Sequence, residues 1–289
     1  MPHPTPWIGF SDLAGLLRGR SVAVLSGAGV STESGIPDYR GPETQDNDHT
    51  PIQYREFVTE PETRRHYWAR SAVGWPTFDA ATPNDGHRAL ARLEDAGMVT
   101  GIITQNVDRL HQAAGSQRVV ELHGTLADVV CLDCGARSSR DALQERLLNL
   151  NPGWPQEADE LAPDGDAKLP RSATRSFRVP PCEACGGVLK PKVVFFGENT
   201  APGPVERAWS LLDDADALLV VGSSLTVYSG FRFVRGAAQA GQPVGIVNLG
   251  ATRGDPLAQI HVDGKTGEVL PKLAEAVAAP SACSSSPPL

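Results

Sequence analysis

Short, continuous apolar runs recur along this chain, and each stops at a glycine or a polar cluster. They read "SVAVLSG", "MVTGIITQN", "RVVELHG", "LKPKVVFFG", "ALLVVGSS" and "PVGIVNLG". Between them lie stretches with helical patterning, such as "NDGHRALARLEDAG", "VDRLHQAAG", "VERAWSLLDDA" and "FRFVRGAAQAG". Strands without polar alternation are buried on both faces, and a helix between successive strands brings the next one in parallel. The pattern therefore predicts an α/β fold: a Rossmann-like parallel sheet with helices on both faces. Asn84 or Asp85 is the candidate N-cap of one of these helices and Gly97 its stop.

Two segments break the rhythm. Residues 42–83 are aromatic-rich and read as a helical insertion. A second excursion, residues 127–186, is bounded by "CLDC" (Cys131, Cys134) and "CEAC" (Cys182, Cys185). Each pair is followed by a glycine, Gly135 or Gly186, where a tight turn favours positive φ. Two such knuckles can wrap a tetrahedral ion, and with four thiolates no coordination position is left open for chemistry. The expectation is one structural zinc ion; the alternative is a set of buried or redox cysteines. A fifth cysteine, Cys283, lies alone in a Pro/Ser-rich tail read as disordered over 278–289. The expected division is a discontinuous Rossmann-like domain, 1–126 and 187–277, interrupted by a zinc-binding module, 127–186.

A glycine turn, "GAGVSTESGIPDYRG" (Gly27 to Gly41), follows the first apolar run. It departs from the dinucleotide fingerprint, because Thr32 stands where the third glycine belongs. Backbone N–H groups at Ala28 and Gly29 remain suited to a pyrophosphate. Other strand ends are also polar: "TQNVD" (Thr104 to Asp108), "ELHG" (Glu121 to Gly124), "GSS" (Gly222 to Ser224) and "NLG" (Asn248 to Gly250). Ligands of open α/β sheets bind at the C-terminal ends of strands. Any one of these ends could be a plain turn, but four of them converging on one crevice are hard to explain by packing.

The net charge of −8 gives no electrostatic footprint for nucleic acid. No apolar run approaches the roughly 20 residues of a membrane span, and the N-terminus has no secretory or transit-peptide pattern. The expectation is a cytoplasmic protein without nucleic-acid or membrane partners.

Taken together, the glycine turn, "TQNVDRLHQAAG", "ELHG", the two CxxC pairs, "LKPKVVFFGE", "VVGSSLTVYSG" and "IVNLG" resemble the sirtuins, NAD-dependent protein deacylases, over most of the chain. "RHYWARSAVGWPTF", "LAPDGD" and "RSFRVP" resemble the class II branch, which includes the mitochondrial lipoamidase and ADP-ribosyltransferase sirtuin, and the chain looks like a bacterial member. The resemblance implies that NAD is a cosubstrate whose bond to nicotinamide is broken. Asp38, Tyr39 and Arg40 would fold over the nicotinamide ribose. Ser34, Ile36 and Asp108 would line the nicotinamide pocket, and Gln105 and Asn106 would orient the ribose and a water. Gly222, Ser223 and Ser224 would hold phosphate and ribose oxygens, while Asn248, Leu249 and Gly250 would frame the adenosine. Gly27, Val107, Thr266 and Gly267 complete the implied cofactor set.

His123 is implied as catalytic base, with Asn106 and Asp108 assisting. The acyl-lysine oxygen attacks the anomeric carbon as nicotinamide leaves, giving an alkylimidate. The imidazole then takes a ribose hydroxyl proton so that this oxygen attacks the imidate. The products would be free lysine, nicotinamide and O-acyl-ADP-ribose. The runner-up activity is protein mono-ADP-ribosyl transfer, which uses the same cleavage with another nucleophile.

The acyl-lysine protein substrate would be pinned as an added strand between Val194, Phe195, Phe196, Gly197 and Glu198 on one side and the segment holding Val227 on the other. Tyr67 and Arg70 resemble the Tyr-x-x-Arg motif of the sirtuins that prefer succinyl- and glutaryl-lysine, which implies that they read a distal acyl carboxylate; three apart on a helix, they would share a face. The competing expectation is that Arg70 pairs with an acid such as Glu62 while Tyr67 packs in the core.

Overall fold

A computed structural model describes residues 7–41, 51–155 and 161–278. Six parallel strands form the main sheet: β1 (Val22–Ser26), β2 (Val99–Thr104), β3 (Val119–Glu121), β7 (Ala217–Val221), β8 (Val244–Asn248) and β9 (Ile260–Asp263). They lie in the order β3-β2-β1-β7-β8-β9. Every pairing is parallel, for example Val24 with Ile102 on one side and with Leu219 on the other. The order runs outward in both directions from β1, so the connection from β3 to β7 crosses the sheet and opens a crevice where β1 meets β7. That is the switch point at which doubly wound sheets bind ligands.

Alternate residues of each strand face opposite layers. Val24, Ile102 and Leu219 pack under α1 (Phe10–Leu17), α4 (Asp85–Asp95) and α9 (Thr266–Ala278) through Leu13, Leu90 and Leu273. Leu25, Ile103 and Val220 pack under α7 (Pro202–Asp213) and α8 (Tyr228–Gln239) through Leu211, Phe233 and Val234. Helix α4 starts at Asn84, whose side chain accepts from the N–H groups of Gly86 and His87, and it stops at Gly97, whose φ is +72°. Helix α5 (Leu110–Ala113) is short and runs up to Gly115, φ +106°.

One strand is not where the run pattern placed it. "LKPKV" forms β6 (Leu189–Val193), outside the parallel sheet. It pairs antiparallel with β4 (Gly124–Cys131), which also pairs antiparallel with β5 (Arg137–Ser139), making a separate three-stranded sheet. An apolar run reports burial, not the identity of its neighbour, and here the neighbour is the strand that leads into the first cysteine pair. Helix α6 (Arg140–Leu150) packs on this sheet through Leu143 and Leu147. Beside them sit Phe57, from α2 (Tyr54–Thr59), and Trp68, from α3 (Pro61–Asp79).

Helix α3 is buried without a break from His66 to Trp75, which explains its weak amphipathic pattern. Arg140 is buried between Trp68 and Trp75, its guanidinium 5.5 and 5.0 Å from the ring centroids. It donates to the carbonyl and hydroxyl of Ser71, tying α6 to α3. No helix among the described residues is long and apolar enough to cross a membrane. Ala278 closes α9, so the tail expected to be disordered does not include it. Residues 279–289, with Cys283, lie outside the described residues.

Candidate active site and metal centre

A cavity of about 980 Å³ opens at the switch point. Its floor is made by two glycine turns in close contact. A Cβ at Gly27 would lie 2.7 Å from the Ser223 Cβ and 2.8 Å from the Gly222 carbonyl oxygen. Gly222 has φ +58°, and a Cβ there would strike the Val30 backbone. The first apolar strand must therefore end in glycine, and so must β7. One expectation needs correcting: the Gly29 N–H donates to the Gly222 carbonyl at 2.8 Å, so it holds the two turns together and does not point at a ligand.

Along one wall, Ser31 links the polar residues that follow β2. Its hydroxyl donates to Asp108 Oδ2 at 2.7 Å and accepts from Asn106 Nδ2 at 3.0 Å. Asp108 Oδ1 accepts the Leu110 N–H at 2.9 Å, which starts α5. Burial raises the Asp108 pKa above the usual carboxylate range, while these hydrogen bonds hold it down. Ser31 is itself buried and lines the cavity. In the sequence it is one of several polar residues in a row inside the glycine turn, and no local signal singles it out.

His123 stands at the centre. Its ring is held on both nitrogens: Nδ1 lies 3.0 Å from the Gln105 carbonyl and Nε2 lies 2.7 Å from the Ser229 hydroxyl. A carbonyl can only accept, so Nδ1 carries the proton and Nε2 presents its lone pair. Burial lowers the His123 pKa; the Gln105 carbonyl works against this and the Arg232 charge adds to it. The imidazole is thus neutral near pH 7, the form a base requires. Its backbone position is set by the small sheet: the His123 carbonyl accepts the Val194 N–H at 2.9 Å, and Gly124 pairs with Val193. Gly124 has φ +78°, with the Lys192 carbonyl where a Cβ would stand.

The cavity also takes in Ile36, Asp38, Tyr39 and Arg40 from the loop after Gly35, and Gln105 and Val107 from the β2 end. Ser223, Ser224 and Val227 line it after β7, Asn248 and Leu249 after β8, and Thr266 at the start of α9. On the opposite side it meets Val194 to Glu198. Glu198 accepts the Phe195 N–H at 2.9 Å and pairs with Lys190 at 2.9 Å. Three expected residues stand behind the wall. Ser34 takes the Asn84 amide, the Gly250 N–H donates to Asp263, and the Gly267 N–H donates to Glu33. Each shapes the lining and none is part of it.

Tyr67 and Arg70 separate. Tyr67 reaches the cavity within a cluster of rings, 5.4 Å from Phe57 and 5.5 Å from Phe195 between centroids. Arg70 does not line it. The guanidinium turns to the loop after Leu161, donating from Nε to the Ala167 carbonyl at 2.9 Å. Its Nη2 lies 3.7 Å from Asp166 Oδ2 and 4.0 Å from Asp164 Oδ1. Glu62 pairs with Arg65 instead, at 3.6 Å. Arg70 therefore stands beside acids and away from the cavity, as in the competing expectation, but those acids belong to a distant loop and Glu62 is not among them; Tyr67 is 2% exposed and sits in the aromatic core cluster.

Across the small sheet the four cysteine sulfurs lie within 4.8 Å of one another. Cys131 and Cys185 are 3.5 Å apart at sulfur, Cys134 and Cys182 3.8 Å. Tetrahedral zinc with Zn–S near 2.3 Å sets its sulfurs about 3.8 Å apart, so the donor set fits the ion in number, chemistry and spacing. Gly135 and Gly186 both have positive φ, +72° and +78°, as each knuckle turn requires. The Asp133 carboxylate accepts the Val188 N–H at 2.8 Å, bracing one knuckle against the other.

A doubly wound sheet with a histidine-centred crevice at its switch point, joined to a four-cysteine module, defines a class of nucleotide-dependent α/β enzymes. Residues 27–229 match the model of the Sir2 family. The chain is 56% identical over 270 residues to NAD-dependent protein deacetylase 1 of Streptomyces coelicolor, covering 92% of this chain and 90% of that one. It is 49% identical over 255 residues to the human mitochondrial NAD-dependent protein lipoamidase sirtuin-4, covering 87% and 81%. A solved Sir2–p53 peptide–NAD+ complex superposes with a TM-score of 0.75 at 31% identity, covering 93% of this chain and 98% of that one. The chain belongs to the Sir2 family.

Proposed function

We infer that this protein is an NAD-dependent protein lysine deacylase. The observation that carries the reading is His123: a half-buried, neutral imidazole that lines the crevice with its Nε2 lone pair on the Ser229 hydroxyl, ringed by the ends of β1, β2 and β7. NAD supplies the electrophilic ribose carbon that the acyl oxygen attacks. His123 takes the ribose hydroxyl proton at Nε2. Asp108, braced by Ser31 and the Leu110 N–H, is suited to the nicotinamide carboxamide, and Asn106 and Gln105 to the ribose side. Ser223 and Ser224 fit the phosphate and ribose oxygens, and Asn248 and Leu249 the adenosine. The loop of Asp38, Tyr39 and Arg40 closes over the reacting end.

An acyl-lysine protein segment fits between Val194–Glu198 and Val227, where recognition through backbone hydrogen bonds tolerates many sequences. Zinc, when bound, supplies only cross-links between the two knuckles. We assign the NAD-binding domain to 1–126 and 187–277 and the zinc module to 127–186, with the small sheet drawing strands from both sides of that division. The cytoplasm, where NAD and acylated proteins meet, is the compartment this reading implies. Mass spectrometry of a reaction with NAD and an acyl-lysine peptide tests it. O-acyl-ADP-ribose with unmodified lysine is expected; ADP-ribosylated protein without O-acyl-ADP-ribose would favour transfer instead.

A further inference from the structure

The start of α8 is built around the base. Ser229, in its first turn, places its hydroxyl 2.7 Å from His123 Nε2. Because Nδ1–H is committed to the Gln105 carbonyl, Nε2 must accept, and the serine must donate. Gly230, next in the chain, has no side chain because Gln105 occupies that space: a Cβ there would lie 2.6 Å from Gln105 Nε2. Gln105 is itself fixed, since Oε1 accepts from the Ser223 hydroxyl at 2.7 Å and its N–H donates to the Ser26 carbonyl at 3.0 Å. The chain reaches this position through Leu225, a non-glycine residue at φ +57° whose N–H donates to the Ser223 hydroxyl at 3.3 Å. The N–H groups of Gly230 and Phe231 then close the turn on the Val227 carbonyl, and Arg232 Nε holds the Ser229 carbonyl at 3.2 Å. These contacts fix the backbone that carries the Ser229 hydroxyl beside the ring nitrogen.

We propose that Ser229 is a positioning residue for His123: its hydroxyl donates to Nε2, locks the ring with Nδ1–H on Gln105, and yields Nε2 to a ribose hydroxyl when NAD and acyl-lysine are seated. This rests on His123 being the base. The exchange replaces one O–H···N hydrogen bond by another, so it needs no change of protonation before chemistry and no movement of the imidazole. A donor on the lone pair favours the neutral ring. In the free protein Ser229 therefore acts in the same direction as burial and as Arg232, the charged group whose field reaches the ring.

The test uses the full chain as Ser229→Ala and Ser229→Thr. Two-dimensional NMR of the imidazoles reads the His123 titration and tautomer without turnover. The Nδ1–H tautomer is expected in the wild type. In Ser229→Ala the titration midpoint should move to higher pH, and Ser229→Thr, which keeps the hydroxyl, should move it back toward the wild type. The acid limb of kcat/KM, which reports the free enzyme, should move with the midpoint. The plateau of kcat/KM should fall roughly 10- to 100-fold in Ser229→Ala, the scale of a misplaced catalytic group, with the Kd for NAD unchanged. A His123 titration identical in wild type and Ser229→Ala overturns the proposal. A wild type that cleaves no acyl-lysine peptide overturns the deacylase reading instead, and the NMR comparison still judges the Ser229 contact.

Discussion

Arg70→Met removes a guanidinium that the fold uses to hold a loop. Arg70 is 7% exposed and Asp166 1%. The arginine satisfies the Ala167 carbonyl and supplies the nearest positive charge to Asp166, whose Oδ2 accepts no hydrogen bond from the described residues. Behind the loop, Gly74 of α3 packs so closely that a Cβ would enter the Gly165 carbonyl. Losing a charged hydrogen bond costs about 1.5–3 kcal/mol, and leaving a buried charge without its partner costs about 3–5 kcal/mol. Asp166 escapes part of that second cost because its carboxyl takes up a proton more readily than an ordinary one. Burial, reinforced by Asp164, already lifts its pKa well above the carboxylate range, further than Arg70 and Arg140 pull it down. The net expectation is a loss of about 2–4 kcal/mol in urea unfolding, with Arg70→Lys recovering part of it.

The loop carries Leu161, Pro163, Asp164 and Lys168 into the cavity, so turnover should also fall. Because Arg70 itself does not line the cavity, the loss should be similar on acetyl-, glutaryl- and lipoyl-lysine versions of one peptide. Stability unchanged within 0.5 kcal/mol, with loss confined to the glutaryl peptide, would refute this reasoning and return Arg70 to the role of carboxylate reader.

Two further outcomes follow from the geometry. Chelation, or Cys131→Ser, should release one zinc per chain and lower the unfolding temperature, because metal binding is coupled to folding of the knuckles; elemental analysis finding no zinc in protein prepared without chelators contradicts it. His87 is fully buried and burial lowers its pKa to about 4, so the folded state resists a proton that the unfolded chain takes up near pH 6.5. Its contribution is fully present above pH 6.5 and lost as pH falls toward 4, about 3 kcal/mol in all. His87→Gln, which can keep the capping box with Asn84, should flatten that acid limb; equal slopes in the two proteins would contradict it.

What was legible in the sequence was local. The strand ends, the Asn84 cap, the paired glycines after the cysteines and the polar segment around Asn106 and Asp108 all follow from residues close together in the chain; the strand ends gather at one crevice and the cysteines in one cluster. What escaped was set by distant partners. The run at Leu189–Val193 has the composition of a core strand, yet its neighbour is β4. Arg70 is answered by a loop nearly a hundred residues on, and Glu62, close in sequence, points elsewhere. Ser229 lies in the quoted "VYSG" segment, but nothing near it in sequence says that its hydroxyl meets His123, 106 residues away. The Gly29 N–H looked available for phosphate because its acceptor, Gly222, follows a different strand.

The central claim is that His123 performs a proton transfer on a ribose already held in place, and His123→Tyr separates the two steps. The measurement is the Kd for NAD by calorimetry, set beside O-acyl-ADP-ribose formation from an acyl-lysine peptide by mass spectrometry, for the variant and the wild type. The account predicts NAD binding within a few-fold of wild type and product formation reduced by at least about 100-fold, the lower end of what a general base contributes. Near-normal O-acyl-ADP-ribose formation by His123→Tyr would contradict it and move the base elsewhere in the crevice.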